Sequence, residues 1–198
     1  MRGSAAGLLA VAATALVAGC GGGERQDADA PTGTFAVDVT AASFPAEQSI
    51  SSPAVLSLEV ANAGDEAVPD LAVTVETRAP DGGAPAAFGR QTGVGLADAE
   101  QPVWVLDEGP TDGDSAYDNT WSLGELRPGE RTTIEWKLTP VRPGTYTVGY
   151  RLAPALVGGA GVEGEDTAGE FEVTISDEPV PASVDADGEV VRGDDAGG

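Results

Sequence analysis

The sequence predicts an all-β protein built as a single two-sheet sandwich, and three observations predict it. Between residues 34 and 176 the apolar residues recur at every second position, the spacing of a strand with one buried face. Turn-forming residues cut these runs apart: Asn62-Ala-Gly64-Asp65, Pro128-Gly129, Pro143-Gly144 and Gly158-Gly159. No window of the same region carries an apolar stripe at helical spacing. A length of 198 residues suits one such domain with extended ends.

The chain opens with Arg2 and a short apolar run from Leu8 to Ala18. Such a run matches the core of a signal peptide and is shorter than the roughly 20 residues a spanning helix needs. It closes on Leu16-Val17-Ala18-Gly19-Cys20, which resembles a bacterial lipobox and ends on the only cysteine of the chain. The resemblance implies a signal peptide over 1–19, a diacylglyceryl group on the Cys20 thiol, and cleavage before Cys20. The expected location is extracytoplasmic, anchored by lipid to a bacterial cell membrane or envelope. Two acyl chains suffice for stable anchoring where one is marginal. Residues 20–33 would hold the lipidated cysteine and a flexible tether, since Gly21 to Gly33 has no apolar residue larger than Ala or Pro.

The strands follow in order. Phe35, Val37 and Val39 share one face; so do Leu56, Leu58 and Val60, and then Leu71, Val73 and Val75. Further along come Ile134, Trp136 and Leu138, then Tyr146, Val148, Tyr150 and Leu152, and finally Phe171, Val173 and Ile175. An insertion over 78–120 is the least regular part. A structureless loop of that length is improbable inside a compact domain, so short strands are expected at 103–106 and at 119–123, with an irregular acidic loop over 107–118. Residues 177–198 read as an acidic, loosely structured tail, with a small hairpin around Asp187-Gly188.

The run Val55-Leu56-Ser57-Leu58-Glu59-Val60-Ala61-Asn62-Ala63-Gly64, followed by Leu71-Ala72-Val73-Thr74-Val75, is similar to bacterial immunoglobulin-like domains of the CARDB and DUF11 kind. The Pro-Gly turns at 128–129 and 143–144, each leading into an apolar strand, agree with it. Gly144-Thr145-Tyr146 also resembles the tyrosine corner of such sandwiches, where a Tyr hydroxyl reaches back to the backbone. The resemblance covers about 34–176. It implies an immunoglobulin-like β-sandwich and, by analogy of fold alone, an accessory, adhesive or spacer module of the envelope.

Composition narrows the chemistry. With no histidine and one cysteine, Ser-His-Asp, Cys-His, His-metal and multi-thiolate sites are excluded. A net charge of −23 argues against a nucleic-acid partner, which needs a basic footprint. With 33 acidic residues, chance carboxylate pairs are inevitable and carry little weight as hydrolase signatures. No catalytic residues are assigned and no enzyme is expected.

Two candidate sites remain, in or next to the insertion. Asp112, Asp114 and Asp118, close to Asp107 and Glu108, are the ligand type that Ca²⁺ takes, although the spacing is not that of an EF-hand. The other reading of this stretch is an exposed acidic loop. Phe88, Trp104, Tyr117 and Trp121 either form an exposed recognition patch for an envelope protein or a glycan, or bury the insertion against the sandwich. The function expected is a membrane-anchored, non-enzymatic surface binding or interaction module. A passive envelope spacer and a Ca²⁺-stabilised adhesion-type domain are the alternatives.

Overall fold

The computed structural model describes residues 31–82, 88–89, 102–110, 119–156, 159–184, 186–188 and 190–192. Thirteen strands lie among them: β1 (Thr34–Ser43), β2 (Glu47–Ser49), β3 (Ala54–Asn62), β4 (Ala72–Arg78), β5 (Phe88–Gly89), β6 (Trp104–Glu108), β7 (Thr120–Ser122), β8 (Arg131–Pro140), β9 (Gly144–Ala153), β10 (Gly161–Glu163), β11 (Ala168–Ser176), β12 (Ala182–Val184) and β13 (Val190–Arg192). One sheet runs β10-β1-β3-β8-β6-β5 and faces a second that runs β2-β11-β9-β4-β7. Strands β1, β3, β8 and β6 against β4, β9 and β11 reproduce the immunoglobulin strand order. The hairpin β12–β13, turning at Asp187-Gly188, forms a separate ribbon.

The alternating residues decide which way each strand faces. Leu56 and Leu58 pair across β3–β8 with Trp136 and Ile134, and Val75 pairs across β4–β9 with Tyr150. These side chains fill the space between the sheets, and every inward position expected from the period-two pattern lies in the core. Phe171 differs from the others in being only half-buried.

Three local devices hold the strands in place. The first strand divides between the sheets: β1 leaves the six-stranded sheet at Ser43, turns through Phe44-Pro45-Ala46, and continues as β2 beside β11. Gln48 fixes that crossing, because its Nε2 donates to the Pro45 carbonyl (2.9 Å) and its Oε1 accepts from Trp104 Nε1 on the opposite sheet (2.8 Å). Asn62, buried at the end of β3, donates through Nδ2 to the Glu66 and Leu126 carbonyls (both 2.8 Å) and accepts from the Gly64 N–H (2.9 Å). The Tyr146 hydroxyl donates to the Pro143 carbonyl (3.1 Å), the local link expected of a tyrosine corner.

The connection from β9 to β11 is pinned as well. It crosses to the other sheet, where β10 pairs in parallel with the start of β1. The Glu165 carbonyl accepts from the Val39 N–H (3.0 Å), and the Glu165 N–H donates to Asp38 Oδ1 (2.9 Å). Gly164 has φ of 145°, and a Cβ there would overlap the Val37 carbonyl oxygen. Only glycine allows this approach.

The short strands β2, β5 and β10 were not expected from the pattern. The strand expected at 103–106 extends to Glu108, held by Lys137 Nζ donating to Glu108 Oε2 (2.6 Å) and Thr139 Oγ1 to Asp107 Oδ2 (2.7 Å).

Two outcomes follow from this packing. Asn62→Ala takes this partner from the Glu66 carbonyl and the Gly64 N–H and leaves the Leu126 carbonyl with the Val68 N–H, and is expected to lower unfolding free energy by about 1–3 kcal/mol in urea titration. Burial pushes the Tyr146 and Tyr150 phenols above their ordinary value of 10.0; the charge of Asp166 adds to the effect at Tyr150, while at Tyr146 Arg142 opposes it more than Asp81 adds. The unfolded chain therefore ionises first. The stabilisation is complete below pH 10 and is lost as pH rises through the folded values. Urea midpoints measured from pH 8 upward should fall above pH 10, and Tyr146→Phe with Tyr150→Phe should flatten that fall.

Candidate functional site

The outward face of the five-stranded sheet carries a depression of about 440 Å³. Period-two alternation builds it: where Val75, Tyr150 and Leu152 point inward, Thr74, Glu76 and Arg78 of β4 and Gly149 and Arg151 of β9 lie on the opposite face. Glu76, Gly149 and Glu170 stand in one cross-strand row, so Gly149 leaves the centre of the sheet without a side chain between two carboxylates. Thr74, Arg151 and Ala168 form the next row.

The missing side chain shapes the electrostatics. Arg78 on β4 reaches across β9 to pair with Glu170 on β11. Arg151 Nη2 lies 3.7 Å from Glu76 Oε1. Both pairs are more than half exposed, so each contributes little to stability. They ring an open backbone floor with alternating charge, an arrangement suited to hydrogen bonding and charge recognition. Gly169 beneath it is obligatory for another reason: a Cβ there would sit 2.6 Å from the Tyr150 hydroxyl.

Phe88, Trp104 and Trp121 are brought together, but they face inward. Trp104 and Trp121 are 0% and 1% exposed, and Phe88 is half-buried. Phe88 lies 6.4 Å from Trp104 and 5.8 Å from Trp121, ring centre to ring centre, and Trp121 meets Trp136 edge-on at 5.4 Å. The exposed patch of Phe88, Trp104 and Trp121 is therefore corrected. These rings anchor the insertion in the core, because burying such large apolar surfaces is worth more than displaying them. Among the described residues, the indole N–H groups of Trp121 and Trp136 reach no acceptor.

Cys20, Asp112, Asp114, Tyr117 and Asp118 lie outside the described residues. Among the described residues, no three Cys, Asp or Glu side chains group as a metal site, and no helix is long and apolar enough to cross a membrane. The sheet-face depression was missed from sequence. Its signal was an outward glycine in the central strand, Gly149, flanked on three strands by residues of alternating charge.

Filling the depression is expected to spare the fold. A Cβ at position 149 would make ordinary contacts of 3.7 Å with the Gly169 carbonyl and 3.8 Å with Glu170 Cγ. Gly149→Val should leave the melting temperature unchanged or raise it, since a branched residue suits a strand better than glycine. A fall of several degrees in calorimetry would contradict this account.

No protein-family model and no curated protein matches the chain. Among solved structures, it is similar to the CARDB domain of a Pyrococcus furiosus protein, described in complex with di-metal ions. The two are 15% identical with a TM-score of 0.39, over 73% of this chain and 93% of that one. The same domain solved in solution gives 16% identity and a TM-score of 0.40, over 73% and 94%. Alpha-2-macroglobulin from E. coli aligns at 15% identity and a TM-score of 0.41, over 74% of this chain and 7% of its own length.

Proposed function

We propose that this protein is a membrane-anchored extracytoplasmic lipoprotein whose sandwich is a non-enzymatic interaction module, with the β4–β9–β11 face as the surface it presents. The observation that supports it best is the Gly149 depression. An outward sheet face normally carries a continuous cover of solvated side chains, and here the cover is interrupted at its centre and ringed by Glu76, Arg78, Arg151 and Glu170. The anchor rests on the sequence alone, on the apolar run from Leu8 and the small residues before Cys20. The absence of histidine and the single cysteine leave little catalytic equipment, which favours recognition over turnover.

Two measurements test the reading. Metabolic labelling with a radioactive fatty acid should mark the wild-type protein and leave Cys20→Ser unlabelled and in the soluble fraction. Crosslinking in the native envelope should capture a discrete partner with wild type, and that capture should drop at least about tenfold, near 1.4 kcal/mol, with Gly149→Val. Identical, diffuse capture by both proteins would instead mark a passive spacer. Turnover of a substrate by the purified domain would overturn the non-enzymatic part.

A further inference from the structure

The open face ends at β11, and the outer edge of that strand is incomplete. β2 pairs with β11 only at Thr174, Ile175 and Ser176, whereas β11 begins at Ala168. The Thr174 N–H donates to the Ala46 carbonyl and the Ser176 carbonyl accepts from the Ile50 N–H, so these residues turn their backbone groups away from β9. By the two-residue period of a strand, Ala168, Glu170 and Glu172 turn theirs the same way. Among the described residues no strand pairs with that stretch of edge.

Phe171 is the second observation. Its side chain lies on the core face against Tyr150 and Phe44, with ring centres 5.9 and 6.1 Å apart, yet it stays half-buried. Val173 and Ile175, level with β2 or beside it, are buried. The same missing neighbour leaves both the backbone edge and the phenyl ring uncovered.

We infer that this edge takes up an extended segment of a partner protein by strand addition, a basic peptide with alternating apolar residues. This rests on the interaction-module reading and names its mode of recognition. Main-chain hydrogen bonds to Ala168, Glu170 and Glu172 supply register. An apolar side chain of the peptide covers Phe171, and Lys or Arg side chains on its other face meet Glu170 and Glu172. The charge argues for a basic occupant: the chain carries −23 overall, and Glu172 makes no ion pair among the described residues. A second copy is disfavoured, because antiparallel pairing of two β11 edges sets these acids against each other. Residues 21–33 of this chain have no apolar residue larger than Ala or Pro to cover Phe171.

The probe is a labelled, end-capped Lys-Val-Lys-Val-Lys-Val-Lys peptide added to the full-length chain, read by fluorescence anisotropy and by amide hydrogen exchange. Saturable binding with slowed exchange at the Glu170 and Glu172 amides is expected. Glu172→Pro removes an outward N–H that β9 does not use, so it should keep the melting temperature and weaken binding at least about tenfold. Should that variant unfold, the comparison passes to a peptide N-methylated on the residues facing β11, which keeps charge and loses the donors. Equal binding by the methylated peptide, unchanged exchange at Glu170 and Glu172, or no binding would overturn strand addition. In the envelope crosslinking, a partner captured equally by wild type and Glu172→Pro overturns strand addition while leaving the interaction module standing. No partner with wild type removes both.

Discussion

The hydrogen bond between Trp104 and Gln48 is the constraint on which the rest of the architecture turns. With one cysteine in the chain there is no disulfide to tie the sheets, and apolar packing alone does not dictate where the first strand changes sides. Gln48 does, because it satisfies the Pro45 carbonyl at the crossing and the Trp104 indole on the opposite sheet at once. The Trp104 indole is buried, so leaving its N–H without a partner is costly. This fixes ten residues of the first strand on one sheet and only three on the other. The shortness of β2 is what leaves β11 open along its first half.

Much of the fold was legible because its core obeys one rule. Strands β1, β3, β4, β8, β9 and β11 are long enough for period-two alternation to show, and Val37, Leu58, Val75, Trp136, Val148 and Val173 lie inward as that rule requires. Tyr146 was legible from its place after Gly144. The short strands β2, β5 and β10 were not, because two or three residues carry no period; they are strands only because a neighbour offers them hydrogen bonds. Gln48 reads as an exposed polar residue until the crossing of the first strand buries it.

The site was harder to see, for a different reason. Aromatic rings in an irregular insertion have two fates, and sequence does not say whether a core exists for them to enter. Trp104 and Trp121 entered it, between Phe44, Phe88, Trp136 and Tyr146. The depression depends on the opposite kind of signal, an absence of side chain at Gly149. Its meaning comes from register, which places that glycine between Glu76 and Glu170 from strands far apart in the chain. Registry between distant strands is set by the whole sandwich and not by any local motif.

The clasp between β10 and β1 gives the domain a mechanical character. A load applied at Gly33 runs lengthwise along β1, which is bonded on one flank to β3 and on the other to β10. Strand hydrogen bonds lie across that direction, so they share the load in shear and must fail together, where a peeled hairpin would lose them singly. The Glu165 contacts with Val39 and Asp38 stand further along the same strand and resist its sliding. Tension entering from the N-terminal side therefore loads these bonds in shear. The β12–β13 ribbon, with no strand partner in either sheet among the described residues, would yield first to a pull from the other end.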